Sequence, residues 1–313
     1  MIVTLTANPA LDRTITLAAP LVPGEVQAAT SAREDAGGKG VNVSRVIAAA
    51  GQPTIAVLPL ADADPYRRPL EATGAPTSAV PVARAVRANL AITDHDGTTT
   101  KINLPGEPLS ADDISALTAA VVAASEGARW LVLAGSLPEA LADTFYVDVV
   151  QAVRARWGAA SPRIAVDTAG PALRQIVEHG AVDLIKPNDD ELAEFTGAVL
   201  DPADPAGVAA AVARTIVPAQ VASALVTLGA SGAILVTAEG AWFCPAPRIR
   251  VASTVGAGDS SLAGYLLADL AGDDAADRLR SAVRYGAAAA ALPGSQVPSP
   301  ADLGGDSLTV RSL

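Results

Sequence analysis

The segment Ser253 to Leu266, STVGAGDSSLAGYL, carries the residue types most suited to chemistry. Gly256, Ala257 and Gly258 leave the backbone bare immediately ahead of a helical pattern. Amide N–H groups at the start of a helix point at whatever lies before it, and the helix dipole adds positive potential there. Such a turn can receive negative charge developing on a transferring group. Asp259 follows at once, placed to take a proton from an attacking hydroxyl. The same dipole is expected to keep its carboxylate ionised near neutral pH, as a ready but weak base. A tight glycine turn with an aspartate cap has the same spelling, so the segment alone leaves turn and active site equally open.

Three other segments supply partners. AGGKGVNVSRV (Ala36 to Val46) is a glycine turn opening a helix, with Lys39 in the turn and Asn42 in the first helical turn. It lacks the Gly spacing and the Ser or Thr after lysine that a Walker A loop requires. It offers N–H groups, a point charge and an amide to an anion or to sugar hydroxyls, or is a plain strand-to-helix joint. LIKPNDDEL (Leu184 to Leu192) ends a strand and starts a helix, so Lys186, Asn188 and Glu191 fall at the carboxyl edge of the sheet. Asn188 and Glu191 suit a hydrated Mg²⁺ and equally spell a capping box, the favoured reading for the motif by itself. VTLGASGAILV (Val226 to Val236) and LAGSLPEAL (Leu133 to Leu141) are strand-to-turn junctions that can line a pocket or simply reverse the chain.

Rarity sharpens these positions. The chain has 19 arginines but only three lysines, Lys39, Lys101 and Lys186, and only five asparagines, Asn8, Asn42, Asn89, Asn103 and Asn188. In so biased a composition the survivors mark places where a compact ammonium or an amide is needed, because arginine does not replace lysine as a point charge. His95 and His179, the only histidines, are isolated and expected to face solvent, and the lone Cys244 to act as a small buried hydrophobe.

The elements that must hold these groups alternate. From Ser110 onward helical patterns precede the apolar runs WLVLAG, RIAVD, VDLIKPN and ALVTLG, which predicts a doubly wound α/β domain with a mostly parallel sheet. The polar-alternating stretches Asp12 to Asp35 and Ala85 to Leu104, the second containing the Asp96-Gly97 hairpin signal, predict a small β-sheet lid, discontinuous in sequence. We expect one domain over residues 1–313 with that lid as an excursion, since no internal repeat or long linker is visible.

Bulk properties exclude other classes. A net charge of -11 argues against a surface for nucleic acid or anionic lipid. No apolar run approaches the roughly 20 residues that span a bilayer, and the first residues lack a signal-peptide pattern, so a soluble, cytoplasmic protein is expected.

Taken together, AGGKGVNVSRVIAAAG and STVGAGDSSLAGYL, with ANPALDRT before them and KPNDDEL and VTLGASG between, resemble the PfkB, or ribokinase-like, carbohydrate kinases over almost the whole chain. TANPALDRT, TKINLPG and STVGAGDS are similar to the phosphosugar branch of that family. The resemblance implies ATP- and Mg²⁺-dependent phosphorylation of a ketose phosphate, fructose 1-phosphate to fructose 1,6-bisphosphate first. Tagatose 6-phosphate or fructose 6-phosphate is the second choice, and a silent sugar-phosphate or nucleotide sensor on the same fold the alternative of another class. By resemblance Asp259 is the base and Gly256, Ala257 and Gly258 form the anion hole. Asp12, Gly38 and Asn42 would hold sugar hydroxyls; Lys39, Arg87 and Lys101 would meet the substrate phosphate, with Ser136 nearby. Lys186, Asn188 and Glu191 would serve ATP phosphates and Mg²⁺, and Thr227, Gly229, Gly232 and Thr254 the nucleotide. A monovalent cation is a further candidate, and pairing of lids implies a homodimer. The chain departs from the branch between Leu58 and Arg84, where a glycine-rich pattern is missing and Arg67 and Arg68 stand unassigned. It departs again at Leu104, where glutamate is usual, and at Pro293, near a position that is polar against adenine in some relatives.

Overall fold

The computed structural model describes residues 1–139, 141–199, 201, 203–305 and 308–313. Strands β1 (Ile2–Leu5), β2 (Ala10–Leu17), β3 (Ala29–Gly37), β4 (Thr54–Pro59), β5 (Thr77–Val80), β6 (Arg87–Thr93) and β7 (Thr99–Asn103) occupy the first third. There follow β8 (Trp130–Ala134), β9 (Arg163–Asp167), β10 (Leu184–Ile185), β11 (Ser223–Thr227), β12 (Ala233–Thr237), β13 (Gly240–Cys244) and β14 (Arg311–Ser312). The helices are α1 (Lys39–Ala49), α2 (Arg67–Ala72), α3 (Ala111–Ala124), α4 (Phe145–Trp157), α5 (Gly170–Gln175), α6 (Asp189–Thr196), α7 (Pro205–Ala213), α8 (Ala257–Ala271) and α9 (Ala275–Ala291).

Ten strands form one sheet in the order β14-β13-β12-β11-β10-β9-β8-β1-β4-β5. It is parallel from β11 to β5 and antiparallel among β11 to β14. The parallel strands are apolar runs because helices cover both faces. Alternation sends Val3, Leu5, Leu131 and Leu133 to one core and Ile2, Trp130 and Val132 to the other. Aromatic side chains are scarce, and close backbone approach compensates. Between α8 and α9, a side chain at Gly264 would strike the carbonyl of Ser281.

β3-β2-β6-β7 make a separate four-stranded sheet, with β2 parallel to β6 and the other pairs antiparallel. This is the lid, with the Asp96-Gly97 turn joining β6 to β7. Sequence patterns did not mark β5, α2 or β14: these are short pieces of 4, 6 and 2 residues, too brief to show a period. Cys244 is buried, and His95 and His179 are exposed. No described helix is long and apolar enough to cross a membrane.

At the amino end of the parallel strands a buried carboxylate ties sheet to helix. Asp269 of α8 accepts from Trp130 Nε1 at 2.9 Å, from both terminal nitrogens of Arg163, and lies 3.2 Å from Arg278. Removing one partner strands buried charge. Asp269→Ala is therefore expected to cost about 3–5 kcal/mol in denaturant unfolding, with turnover per folded molecule kept, since this cluster lies at the sheet edge opposite the clefts described next.

Candidate active site

β1 has β4 on one side and β8 on the other, so the chain reverses its direction of winding beside it. Ligands bind at the carboxyl ends of strands at such a switch point. A cleft of about 630 Å³ opens there, lined by Asn8, Asp12, Gly38, Lys39, Asn42, Arg87, Asn89, Ser136, Glu191, Gly256 and Asp259, among others. A second cleft of about 780 Å³ is lined by Asn188, Thr227, Gly229, Gly232, Thr254, Ala257 and Gly258, with Val283, Gly286 and Ala290 from α9. The turn Gly256–Gly258 is thus the wall between the two.

That turn is built as the sequence suggests. Gly256 has φ 74°, a left-handed conformation that favours glycine, and the first bond of α8 runs from Ser260 N–H to Gly256 O at 2.8 Å. The amides of Gly256 and Gly258 precede that bond and are available to an anion, while Ala257 N–H makes a long bond to Thr254 O at 3.4 Å. Across the cleft, the second glycine turn starts α1. Gly38 has φ 126°, and a side chain on Gly40 would collide with the carbonyl of Leu5, so α1 enters pressed against β1.

Asp259 is 6% exposed, and Asn42 Nδ2 donates to its Oδ2 at 2.8 Å. Burial, then the charge of Asp167, push its carboxyl up to about 6, against the pull of Lys39, Asn42 and Lys186. The sequence expectation of an unhindered, weak base is therefore modified: burial outweighs the helix terminus, and Asp259 is a stronger base that is still mostly ionised at pH 7.

Asp167, at the carboxyl end of β9, organises the charges and was not picked out by sequence. It is fully buried, with Lys39 Nζ at 2.7 Å from Oδ1 and Lys186 Nζ at 3.2 Å from Oδ2. Burial would raise its carboxyl, but the ammoniums of Lys186 and Lys39 outweigh this and hold it below the usual carboxylate range. Lys39 in turn overcomes burial and is held above its ordinary value by Asp167, Asp259 and Glu191. Lys186 lies beneath the anion turn: a side chain at Gly258 would come within 3.2 Å of Nζ.

On the lid side, Asn89 Nδ2 donates to Asp12 at 2.8 Å, and burial raises the Asp12 carboxyl although Asn89 and Arg87 oppose it. Arg87 lines the main cleft, and its Nε is buried with no hydrogen-bond partner among the described residues. Asn8 Nδ2 reaches Ser136 Oγ at 3.4 Å. Lys101 is not in the main cleft; it stands on exposed β7 and lines a smaller one of about 270 Å³ under the lid, with Arg33, Asp35, Asn103 and Ser295. Leu104 and Pro293 are exposed and line none of these three clefts, and Arg68 is exposed, while Arg67 binds Ala61 O and Asp62. All five asparagines line one cleft or another, as their rarity suggested.

Asn188 and Glu191 do form a capping box, each side chain accepting from the other's backbone N–H at 2.7 and 2.9 Å. The box spends only one oxygen of Glu191, which lines the main cleft. No group of three His, Cys, Asp or Glu is placed to hold a metal among the described residues. A single carboxylate suits Mg²⁺, which keeps most of its waters, and does not suit a cation needing a full protein cage.

Comparison with known proteins agrees with this geometry. The profile of the pfkB family carbohydrate kinases matches residues 5–302. A 1-phosphofructokinase of Rhodobacter capsulatus is 34% identical over 100% of this chain and 98% of its own. D-tagatose-1-phosphate kinase of Klebsiella oxytoca is 30% identical, covering 94% of each. Phosphofructokinase-2 from Escherichia coli, solved with substrates and products, superposes with TM-score 0.87 at 28% identity over 96% of each chain; the same protein has been solved with potassium, TM-score 0.86, 28% identity, 96% of each. The chain belongs to the pfkB family of carbohydrate kinases. It is a phosphotransferase acting on a sugar phosphate.

The raised Asp259 carboxyl fixes a pH dependence. A base must be deprotonated, so kcat/KM is expected to fall about tenfold per pH unit below about 6. Asp259→Asn should lower kcat by about 10²–10⁴. A carboxyl raised on folding stabilises below its unfolded value of 3.8, and that contribution is lost as pH rises through about 6. The Asn variant should therefore unfold at higher denaturant than wild type above pH 6.

Proposed function

We propose that the protein is a 1-phosphofructokinase, transferring the γ-phosphoryl group of ATP to the free primary hydroxyl of fructose 1-phosphate. The observation that carries this is Asp259 beside the bare turn Gly256–Gly258, at the wall between a polar cleft and a partly apolar one. In this reading Asp12, Gly38 and Asn42 hold sugar hydroxyls in the first cleft, and Arg87 meets the substrate phosphate, with Ser136 in the same lining. Lys101 approaches the same phosphate from the lid. Lys39 contributes positive potential while anchored to Asp167. Thr227, Gly229, Gly232 and Thr254 line the nucleotide cleft, whose α9 wall is apolar enough for a base.

Asp259 accepts the proton of the attacking hydroxyl as its oxygen bonds to phosphorus and the bond to the leaving diphosphate oxygen breaks. The amides of Gly256, Ala257 and Gly258, with Lys186 beneath them, meet the negative charge on the transferring group. Glu191, and Asn188 through the cap, would hold Mg²⁺ through its waters. When bound, Mg²⁺ neutralises phosphate charge and orients the triphosphate.

Leu104, where glutamate is usual in the branch, lines neither the main cleft nor the one under the lid. Ile102 is 44% and Leu104 43% exposed on the lid edge, and Leu21, Val22 and Val26 are exposed on the β2–β3 connection at its other end. Exposed apolar side chains on the lid support a homodimer formed through it, and a cytoplasmic location belongs to the same reading by likeness to the family.

A coupled assay comparing fructose 1-phosphate, fructose 6-phosphate, tagatose 6-phosphate and unphosphorylated fructose tests this. We expect fructose 1-phosphate to have the highest kcat/KM and fructose at least 10²-fold less, the loss of a buried charge-assisted contact. Equal use of fructose would remove the phosphate role of Arg87. Binding of sugar phosphate without turnover would make the protein a sensor.

A further inference from the structure

The chain passes between body and lid four times: at Thr6–Pro9, at Gly37–Gly38, between Val80 and Arg87, and from Asn103 to Ala111. Two buried polar clamps join all four crossings. Arg84, only 7% exposed, donates to Glu107 O at 2.6 Å and to Ala7 O at 3.2 Å, so one guanidinium on the third crossing holds the first and the fourth. Asp64, 8% exposed, accepts from Tyr66 N–H at 2.8 Å and from Val86 N–H at 2.7 Å. The fully buried Tyr66 hydroxyl donates to Gly37 O at 2.8 Å, which ties the second crossing to the third.

The clamped groups are not arbitrary points. Ala7 precedes Asn8, Gly37 precedes Gly38 and Lys39, and Val86 precedes Arg87, all of which line the main cleft. Gly106, beside Glu107, is packed so closely on Arg84 and Asn8 that an added side chain would meet both within 3.2 Å. The acceptors of Arg84 are two neutral carbonyls on different segments, each met by its own terminal nitrogen, a task for a planar fork with several donors rather than an ammonium. Asp64 and Tyr66 come from the stretch between Leu58 and Arg84 that departs from the glycine-rich pattern of the family.

We infer that Arg84, Asp64 and Tyr66 are positioning residues that set the lid on its hinge and hold Asn8, Gly38 and Arg87 in register with Asp259. They act on the sugar half of the site and leave the nucleotide cleft alone, because none of the four crossings lines it. The catalytic part of this inference rests on the proposed phosphosugar kinase activity; the mechanical part does not.

Tyr66→Phe removes one hydroxyl, and Arg84→Lys keeps charge while losing the fork. Hydrogen exchange on the ligand-free proteins is expected to speed up in residues 10–17 and 29–37, with no change in β8, β9 and β11. In steady-state assays the KM for fructose 1-phosphate should rise about 5-fold or more, while the KM for ATP stays within about 2-fold, a loss confined to one substrate. ATP hydrolysis without sugar should grow relative to kinase turnover as the lid excludes water less well. Equal acceleration of exchange in lid and central sheet, or unchanged lid exchange in both variants, would overturn the inference. If wild type turns over no phosphosugar, the functional proposal fails, and the exchange data still decide the hinge.

Discussion

The site depends on one buried carboxylate. Asp167 has no exposure to water, and an unpaired charge there would be prohibitively unfavourable. Lys39 from the first glycine turn and Lys186 from the end of β10 supply its counter-charges. That requirement brings together two segments 147 residues apart in sequence, from Lys39 to Lys186. It also explains why lysine persists at these positions in a chain that otherwise uses arginine. Two compact ammoniums fit around one carboxylate where two guanidiniums would crowd.

The consequences spread outward from that triad. With Lys39 fixed, α1 presents Asn42 to Asp259, and with Lys186 fixed, positive charge sits beneath the anion turn. The negative charge of Asp167 adds to burial in raising the Asp259 carboxyl. The buried Lys39–Asp167–Lys186 cluster therefore shifts the carboxyl proposed as the base. The two clefts also differ in origin: the one proposed for sugar is lined from the lid and the switch point, and the one proposed for nucleotide from the end of β11 and from α8 and α9.

Much of this was legible in the sequence, and the reasons differ by residue. The parallel sheet was visible because strands covered on both faces must be apolar throughout, as in WLVLAG and RIAVD. The two glycine turns were visible because the positive-φ backbone at Gly38 and Gly256 favours glycine. Asparagine and lysine scarcity pointed at cleft residues that no local pattern marks, such as Asn8 and Asn89. Asp167 escaped because an aspartate ending a strand usually faces water, and its burial is set by two lysines from elsewhere. For Lys101 the residue type was informative, but sequence could not say that it stands on an exposed lid strand, in a smaller cleft that shares Asp12 and Asn89 with the main one. The Asn188–Glu191 pair forms the cap that its spacing spells, and the cap leaves one carboxylate oxygen of Glu191 for the proposed ligand role.

The pH dependence of kcat/KM in Asp167→Asn tests this account most directly. Removing the negative charge leaves burial as the main upward influence on Asp259 and frees Lys39 and Lys186 to favour its ionised form. The acid limb is predicted to move from about 6 toward lower pH, with a fall in overall turnover. An acid limb that stays in place or moves upward would contradict it, and would show that Asp167 does not set the base.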